Sequence, residues 1–495
     1  MINYKRAKEK INNYEGVAEV IEFAKLHYRK FNREERAQIF NQVIQDRHVN
    51  VEEFNFSLRL AVELSSIFMV YKTNAMRFLV KCQFDLDKEK EIFKLIIKKI
   101  FELDSSQQVF NNKLERNYLK RYLNYKYDYP SIHVYEYFKL FQYFEELCED
   151  IYGLSIKRNF YTFLIFVSST EDLYIKINKE EFRNHKNFAN LFIDGNDINE
   201  KIFIEDNLRT SFKGKLGIKF SDGLYVPRTH HLLENILRGI LENEKSKDKK
   251  GDILETYSKD IIGNFFDDIY HTSYDNKGNE QDLIITFKDT ILFIECKSQN
   301  FKSIFIDGKD AKSIIEKHFE EVIVKACKQC QRGKEYLLNN NRVIYYNSNN
   351  KKERKEVFTI SKAKNKRIYK IVVVLDEYLD LAELSNRYLD AEYKDTWVVN
   401  IFALQKILWT ATRINGINTF FEYLEYRTRN YLSIESLHSD ELAQFGYWIS
   451  SNHHFYPQVG LNINITIGNR FTNIFNVYDA YFFEELKKEL KVINE

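Results

Sequence analysis

The spacing of apolar positions predicts a mostly helical N-terminal region. Residues 67–82 and 134–152 place apolar side chains three and four positions apart, with charged residues between them, which is the pattern of amphipathic helices. From about Tyr161 the pattern changes to the short apolar runs FLIFV, LYIKI and KIFIE. Runs of this kind predict strands, so we expect a small strand-bearing section that ends near Val226.

Helical and strand periods alternate in the second half of the chain. Helical spacing over residues 231–244 and 253–270 lies on either side of the charged, linker-like run EKSKDKKGD. A period of two follows in QDLIITF and ILFIECKS, and Lys288 and Asp289 predict a two-residue hairpin turn between them. The remaining predicted elements are a helix at residues 314–338, a basic loop at residues 351–367 and a buried strand at residues 370–375.

This order of elements predicts the fold class and the domains. Helix, paired strands, helix and strand indicate an α/β core with a mixed sheet. The whole chain is therefore expected to be α+β or α/β, with a mostly helical N-terminal region and a mixed sheet flanked by helices. The predicted divisions are a helical domain at residues 1–150, a small mixed α/β section at 151–226, an α/β domain at 227–430, and a C-terminal extension at 431–495 that could pack on it.

Composition narrows the protein class only a little. Hydrophobic residues make up 44% of the 495 positions, enough for packed cores. The 74 Lys and Arg residues nearly balance the 72 Asp and Glu residues, so the net charge neither favours nor excludes nucleic acid. The five cysteines are an odd number, and no apolar run approaches the ~20 residues that span a bilayer. We therefore expect reduced thiols and a cytoplasmic protein without membrane contact.

Three charged side chains interrupt the apolar hairpin at the end away from its turn. If Phe287 pairs with Thr290, Asp282 lies opposite Glu295, and Lys297 shares the face of Glu295. Directly opposed residues have Cβ atoms about 4.5–5.5 Å apart. The hairpin therefore predicts a cluster of two carboxylates and one lysine.

The residue types in this cluster suit phosphodiester hydrolysis. Two adjacent carboxylates repel each other unless a proton or a cation binds between them, and a hard divalent ion such as Mg²⁺ prefers oxygen ligands. A lysine beside the ion can stabilise developing negative charge or orient the attacking water. A solvated, charged hairpin end is the structural alternative, and the apolar strand around Glu295 and Lys297 disfavours it.

An Asp at the start of one strand and Glu-x-Lys on the next resemble the PD-(D/E)xK nuclease superfamily, which includes restriction endonucleases and phage-defence nucleases. Members also tend to carry Gly-x-x-x-Glu on the preceding helix, and Gly251 and Glu255 match this pattern. Many place a Gln on the following helix. Gln329 matches that position, and Gln331 matches it less well because it points to another side of the helix. The usual proline before the Asp is replaced here by Gln281.

The resemblance implies a metal-dependent endonuclease acting on DNA, double-stranded by preference, in restriction or anti-phage defence. Residues 227–430 would form its restriction-endonuclease-like domain, working as a homodimer or with a partner subunit of a defence system. Two alternatives remain: an RNA-cleaving enzyme of the same fold, and a non-catalytic nucleic-acid-binding or assembly subunit.

The resemblance also implies a role for each residue of the cluster. Asp282, Glu295 and the backbone carbonyl of Cys296 would bind Mg²⁺, for which Mn²⁺ could substitute. Lys297 would position or activate the attacking water. In addition, Glu255 would hold a second metal ion or a metal-bound water, and Gln329 would orient the lysine or contact the phosphate.

The basic segment at residues 351–367 predicts contacts with nucleic acid. It contains eight basic and two acidic residues, so it could neutralise several phosphates. A solvated loop without a ligand is the alternative. The basic residues are Lys351, Lys352, Arg354, Lys355, Lys362, Lys364, Lys366 and Arg367.

Cys327-x-x-Cys330 is the one cysteine pair with a spacing that suggests a metal. A zinc site needs four ligands, and the nearest further candidates in the sequence are His318 and Cys296. Two thiols packed one turn apart on a helix are therefore the favoured interpretation.

Overall fold

The computed structural model describes the C-terminal half of the chain more fully than the N-terminal half. The described residues are 4–13, 38–39, 42, 86–107, 133–160, 174–178, 188, 190–194, 214–220, 223–227, 232–300, 316–376, 378, 380–383, 385–429, 437–438, 441–451, 465–466 and 469–494. The helix predicted at residues 67–82 and the runs FLIFV and KIFIE lie outside these residues.

The chain divides into two compact units, with the division between Lys245 and Ser246. In the first unit a four-stranded sheet has the strand order β1-β4-β3-β2, and β1 confirms the strand predicted at LYIKI. Its strands are β1 (Tyr174–Asn178), β2 (Phe192–Asp194), β3 (Gly217–Phe220) and β4 (Gly223–Pro227). Its described helices are α1 (Tyr4–Asn13), α2 (Leu86–Gln107), α3 (Val134–Tyr143), α4 (Glu145–Tyr152) and α5 (Leu232–Leu241). The helix predicted at residues 134–152 is thus two helices that meet at Phe144.

The second unit is built on a seven-stranded mixed sheet with the order β11-β10-β7-β6-β5-β8-β9. Parallel pairing joins β7, β10 and β11, and antiparallel pairing joins β7 to β6, β5, β8 and β9 in turn. This sheet and its flanking helices confirm the predicted α+β class. The strands are β5 (Ile269–Tyr274), β6 (Glu280–Phe287), β7 (Thr290–Lys297), β8 (Arg342–Tyr346), β9 (Glu356–Ser361), β10 (Arg367–Val374) and β11 (Thr396–Asn400).

The second unit also contains helices before, between and after these strands. They are α6 (Lys250–Gly263), α7 (Lys325–Asn339), α8 (Asp380–Glu383), α9 (Ile401–Asn415), α10 (Ile417–Arg429), α11 (Glu441–Ser450) and α12 (Asn476–Asn494). A π-helical turn at Glu320–Val324 leads into α7, and the short strands β12 (Leu437–His438) and β13 (Ile465–Thr466) pair in parallel. Within the described part of the chain, no helix has both the length and the apolar character needed to cross a membrane.

Helices α6 and α7 cover opposite faces of the sheet. Cys330 of α7 packs in one core cluster with Phe293 of β7, whereas Ser258 of α6 faces the thiol of Cys296. Odd and even positions of a strand point to opposite faces. Strand β7 is therefore enclosed on both faces, and all of its residues except Lys297 are buried.

Two predicted elements have different boundaries in the structure. The helix predicted at residues 253–270 ends at Gly263, because the Phe266 ring packs against Phe287 and Phe421 instead of continuing the helix. The predicted basic loop contains strand β9, which pairs with β8. Apolar side chains at alternate positions of β9 are buried, so a period of two is present within the charged segment.

A buried ionic network joins α11 to the rest of the second unit. The carboxylate of Glu441 accepts hydrogen bonds from Trp397 Nε1 at 3.2 Å, from the Tyr423 hydroxyl at 2.6 Å and from Arg427 Nη2 at 2.9 Å. These donors lie on β11 and α10. Since a buried carboxylate is costly without such partners, the network holds α11 against the sheet domain. The predicted domain boundaries stay predictions.

We expect Gly446→Ala to destabilise the second unit by about 1–3 kcal/mol. A Cβ at Gly446 would overlap the backbone carbonyl of Phe471, which cannot move as easily as a side chain can. Thermal unfolding measures the effect. Gly251→Ala is the matched control, because a Cβ there meets nothing within 4 Å. Equal melting temperatures for the two variants would contradict the packing of α11.

Candidate active site

The hairpin of β6 and β7 has the predicted register as far as Leu283. Phe287 pairs with Thr290 across a two-residue turn, and the ladder runs to the pair of Leu283 and Ile294. The next predicted pair, Asp282 with Glu295, is absent from the ladder. Instead, Asp282 Oδ2 accepts a hydrogen bond of 2.8 Å from the backbone N–H of Cys296.

An irregularity in β5 accounts for the position of Asp282. Thr272 has φ of 46°, a left-handed conformation that is uncommon for a β-branched residue. The ladder between β5 and β6 pairs His271 with Leu283 and Ser273 with Gln281, and it omits Thr272 and Asp282. Asp282 is thus outside the ladders on both sides, and its carboxylate accepts from the N–H of Cys296 and lies 3.8 Å from Lys297.

Lys297 joins the two carboxylates of the hairpin. Its Nζ lies 3.0 Å from Glu295 Oε2 and 3.8 Å from Asp282 Oδ2. Burial disfavours the charged form of Lys297, but Glu295 and Asp282 outweigh this effect and raise its pKa above the ordinary value. The lysine is therefore a firmly held cation, and its side chain is 14% exposed.

Glu295 is the most deeply buried member of the cluster, with a side-chain exposure of 0%. Gln281 Nε2 donates a hydrogen bond to its Oε1, and Lys297 donates to its Oε2. Burial, and next the charge of Asp282, raise the pKa of Glu295 to about 8. Because two carboxylates share one lysine, protonation of Glu295 at neutral pH competes with the binding of any further cation there.

Helix α6 brings Glu255 to the same end of the hairpin. Its Oε2 lies 3.2 Å from His271 Nε2 on β5. Burial, and next the charge of Asp282, raise the pKa of Glu255 to about 7, whereas Lys297 acts in the opposite direction. Glu255 therefore belongs to the electrostatic environment of the cluster and also could hold a cation there.

Helix α7 places the two candidate glutamines differently. Gln331 Oε1 accepts a 2.6 Å hydrogen bond from Lys370 on β10, away from the cluster. Gln329 is half-buried, four residues before Gly333, and Gly333 lies against the side chain of Gln281. Residues four apart share a helix face, so Gln329 lies on the helix side that faces β6. No hydrogen bond between described residues joins Gln329 to Asp282, Glu295 or Lys297.

The oxygen atoms of the cluster suit a hard cation in chemical type. No group of three His, Cys, Asp or Glu residues in the described ranges is arranged to hold a metal ion. Gln281 and Lys297 each donate to one oxygen of Glu295. The N–H of Cys296 points toward β6, and the carbonyl of a strand residue points to the same side as its N–H. Asp282, Glu295, Glu255 and the Cys296 carbonyl could thus hold Mg²⁺ once Glu295 exchanges its contact with Lys297 for the metal.

The basic residues of 351–367 form two groups at opposite ends of the sheet. Glu280, Tyr274, Tyr346 and Glu356 are successive partners across four strands, so the start of β9 lies about 14 Å from Glu280. The near cluster, at this end, is Lys351, Lys352, Arg354 and Lys355. The far cluster, beside the hairpin turn, is Lys362, Lys364, Lys366 and Arg367.

The far cluster is separated from the candidate site by the length of β7. Arg367 pairs with Thr290 at the first residue of β7, and Lys366 Nζ donates to the Lys288 carbonyl at 2.9 Å. Lys297 is seven residues further along β7, a distance of about 23 Å. One stretch of basic sequence therefore provides two separate surfaces.

Sequence reasoning missed two residues of the cluster. Gln281 stands where the resemblance implies a proline, yet it donates to Glu295. Glu280 lies at the start of β6, and burial, and next the charge of Asp282, raise its pKa. A polar run at the beginning of an otherwise apolar strand is the signal that could have identified both.

The cysteines of α7 pack in the core. Cys330 Sγ lies 3.6 Å from the carbonyls of Phe293 and Ile371, and Cys327 is fully buried one turn before it. The four described cysteines are all free thiols. His318 contacts the Tyr378 hydroxyl at 3.2 Å. This packing favours the structural interpretation of the pair.

Comparison of the chain with protein-family models, with curated proteins and with solved structures finds no match. The resemblance to the PD-(D/E)xK superfamily stays a prediction from the motif.

Proposed function

We propose that this protein is a metal-dependent nuclease that hydrolyses phosphodiester bonds in DNA. The observation that carries the proposal is the position of Lys297, within 4 Å of both Glu295 and Asp282 at the open end of a buried hairpin. Glu255 of α6 lies beside this group. Such a set of acidic oxygens around one lysine matches the requirements of phosphodiester hydrolysis better than those of a structural ion pair.

The residues of the cluster divide the chemistry between them. A bound Mg²⁺ would polarise the phosphate and lower the pKa of a water molecule. Asp282 and Glu295 would bind the ion, with Glu255 available for a second ion or its water. Lys297, once released from Glu295, would orient the attacking water and stabilise charge on the phosphate. Its raised pKa keeps it cationic for that role.

The near cluster supports a nucleic-acid substrate. Arg354 lies 4.2 Å above the Tyr346 ring, which holds its guanidinium at the site end of the sheet, and Lys351, Lys352 and Lys355 are exposed around it. The distance of about 14 Å to Glu280 is the length of about four base pairs at 3.4 Å each. A duplex crossing the site could therefore reach both. A role in restriction or anti-phage defence, alone or with a partner, belongs to the same proposal.

Removal of one cluster residue should abolish cleavage. Glu295→Gln and Lys297→Met keep the side-chain volume but remove a metal ligand or the cation, and we expect each to lower the cleavage rate about 10²- to 10³-fold or more. The assay measures the rate at which supercoiled plasmid DNA is cleaved in the presence of Mg²⁺. An RNA transcribed from the same plasmid is tested in parallel. Lys325→Ala, an exposed lysine at the start of α7, is the control.

Full cleavage by the Glu295→Gln protein would show that the catalytic site lies elsewhere. Cleavage of RNA alone would replace DNA by RNA as the substrate. Absence of cleavage by a folded wild-type protein that binds DNA would favour the non-catalytic alternative.

Metal binding should strengthen as the pH rises. Glu295 and Glu255 have pKa values of about 8 and about 7 without metal, so Mg²⁺ has to displace protons at neutral pH. Each displaced proton makes the dissociation constant fall about tenfold per pH unit. We expect this fall between pH 6 and about 8 and a plateau above it. Calorimetric titration measures the Mg²⁺ dissociation constant at each pH. A dissociation constant that does not change over this range would contradict protonation of the site.

The near and far clusters should contribute unequally to DNA affinity. The triple variant Lys351→Ala, Lys352→Ala, Lys355→Ala should weaken binding and reduce the salt dependence by about one ion per lysine. The triple variant Lys362→Ala, Lys364→Ala, Arg367→Ala removes the same charge from exposed positions and should change binding little. Fluorescence anisotropy without divalent metal, over about 50–200 mM salt, compares them. Equal losses would contradict the proposed path of the duplex.

A further inference from the structure

The side chain of Gln281 lies on the face of the sheet that α7 covers, although regular strand geometry would place it on the opposite face. Ile284 and Phe293 are paired, and both belong to the core cluster under α7. Gln281 is three residues from Ile284 and would point to the opposite face of a regular strand. The omitted pair of Thr272 and Asp282 interrupts this alternation. Irregularities of this kind re-aim side chains, often beside active sites.

The re-aimed side chain contacts Glu295. Gln281 is 3% exposed, and its Nε2 donates to Glu295 Oε1 while Lys297 donates to Oε2. Donors on both oxygens fix the rotation of the carboxylate about its last bond. If Lys297 turns to the substrate, Gln281 is the donor that remains on Glu295.

Gly333 of α7 makes room for this contact. A Cβ at Gly333 would overlap Gln281 Oε1 and would lie 3.0 Å from the Phe293 ring. The helix therefore approaches the sheet closely at the point where the Gln281 amide lies. Glycine is unfavourable in the interior of a helix, and the close approach explains why it stands here.

We propose that Gln281 is a positioning residue of the candidate active site, which orients the Glu295 carboxylate for Mg²⁺, and that Gly333 provides the space its amide occupies. The inference rests on the proposed function, because it assigns a role toward the same metal. Partners that hydrogen-bond a ligating carboxylate typically change metal affinity or activity 10- to 100-fold when they are removed. Gln281 acts through Glu295 and touches no reacting atom.

The test uses the full-length chain and measures the Mg²⁺ dissociation constant by calorimetric titration beside the Mg²⁺ dependence of plasmid cleavage. Gln281→Met keeps the length of the side chain and loses the amide, so the Mg²⁺ concentration for half-maximal rate should rise about tenfold or more. At saturating Mg²⁺ the KM for DNA should stay at the wild-type value, because the DNA-contacting surface is intact. Gln405→Met, which removes only an acceptor for the Tyr257 hydroxyl at 3.3 Å, is the matched control and should behave as wild type.

A double-mutant cycle separates positioning from general packing. Gly333→Ala should raise the Mg²⁺ requirement in the wild-type background and add nothing in a Gln281→Ala background, where no amide remains to displace. Thermal unfolding in chelator verifies that each variant is folded, and Gln281→Asn, whose amide is too short to reach Glu295, replaces Gln281→Met if that protein does not fold.

The outcomes separate this inference from the proposed function. A wild-type Mg²⁺ dependence in both Gln281→Met and Gln281→Asn, together with cleavage by the wild-type protein, overturns the role of Gln281 and leaves the nuclease proposal standing. An additive effect of Gly333→Ala in the Gln281→Ala background overturns the role of Gly333. A wild-type protein that neither binds Mg²⁺ nor cleaves overturns the nuclease proposal and this inference with it.

Discussion

The ion pair of Lys297 with Glu295 is the interaction on which the candidate site depends. Glu295 is fully buried inside a seven-stranded sheet, where an isolated carboxylate would be strongly disfavoured. Lys297 offsets this cost, but it also contacts Asp282. One lysine therefore faces two carboxylates, and the three groups together carry an excess of negative charge when both carboxylates are ionised. A site in this state favours any further cation that can reach it. Burial, and next the charge of Asp282, raise the pKa of Glu295 and of Glu255, so part of this effect has the same origin as the attraction for a cation.

The rest of the second unit holds this pair in place. Strand β7 pairs with β6 as far as Ile294 and with β10 through Lys297, so Glu295 cannot move without disturbing the ladder to β10. Helices α6 and α7 cover the two faces and add Glu255 from one side and the close approach at Gly333 from the other. The pairing is irregular at Asp282, where the ladder to β5 skips one pair and the ladder to β7 has already ended. The carboxylate of Asp282 lies at this irregular position, where it can bind either the backbone N–H of Cys296 or a ligand.

Charge is distributed unevenly around this frame. The acidic cluster lies at the open end of the β6–β7 hairpin, and the near cluster of basic residues lies at the same end of the sheet, across β5 and β8. Between them they could neutralise a phosphate backbone and bind the metal that acts on it. The far cluster carries equal charge at the other end of β7. Balanced totals of 74 basic and 72 acidic residues conceal this polarity, because net charge contains no information on position.

The sequence by itself determined the elements that depend on neighbouring residues. The alternation in LIITF and ILFIE, with Lys288 and Asp289 between the strands, was enough to predict the hairpin, its turn and its register to Leu283. The charged residues that interrupt β7 were enough to identify Glu295 and Lys297. Only the tertiary structure decided how Asp282 and Gln281 are used, because the left-handed residue that disturbs their strand is Thr272 on the adjacent strand β5. It also divided the basic segment into two surfaces, since strand β9 runs the length of the sheet between them. Local periodicity specifies a strand, whereas the face and the end at which a residue acts depend on which strands pair with it.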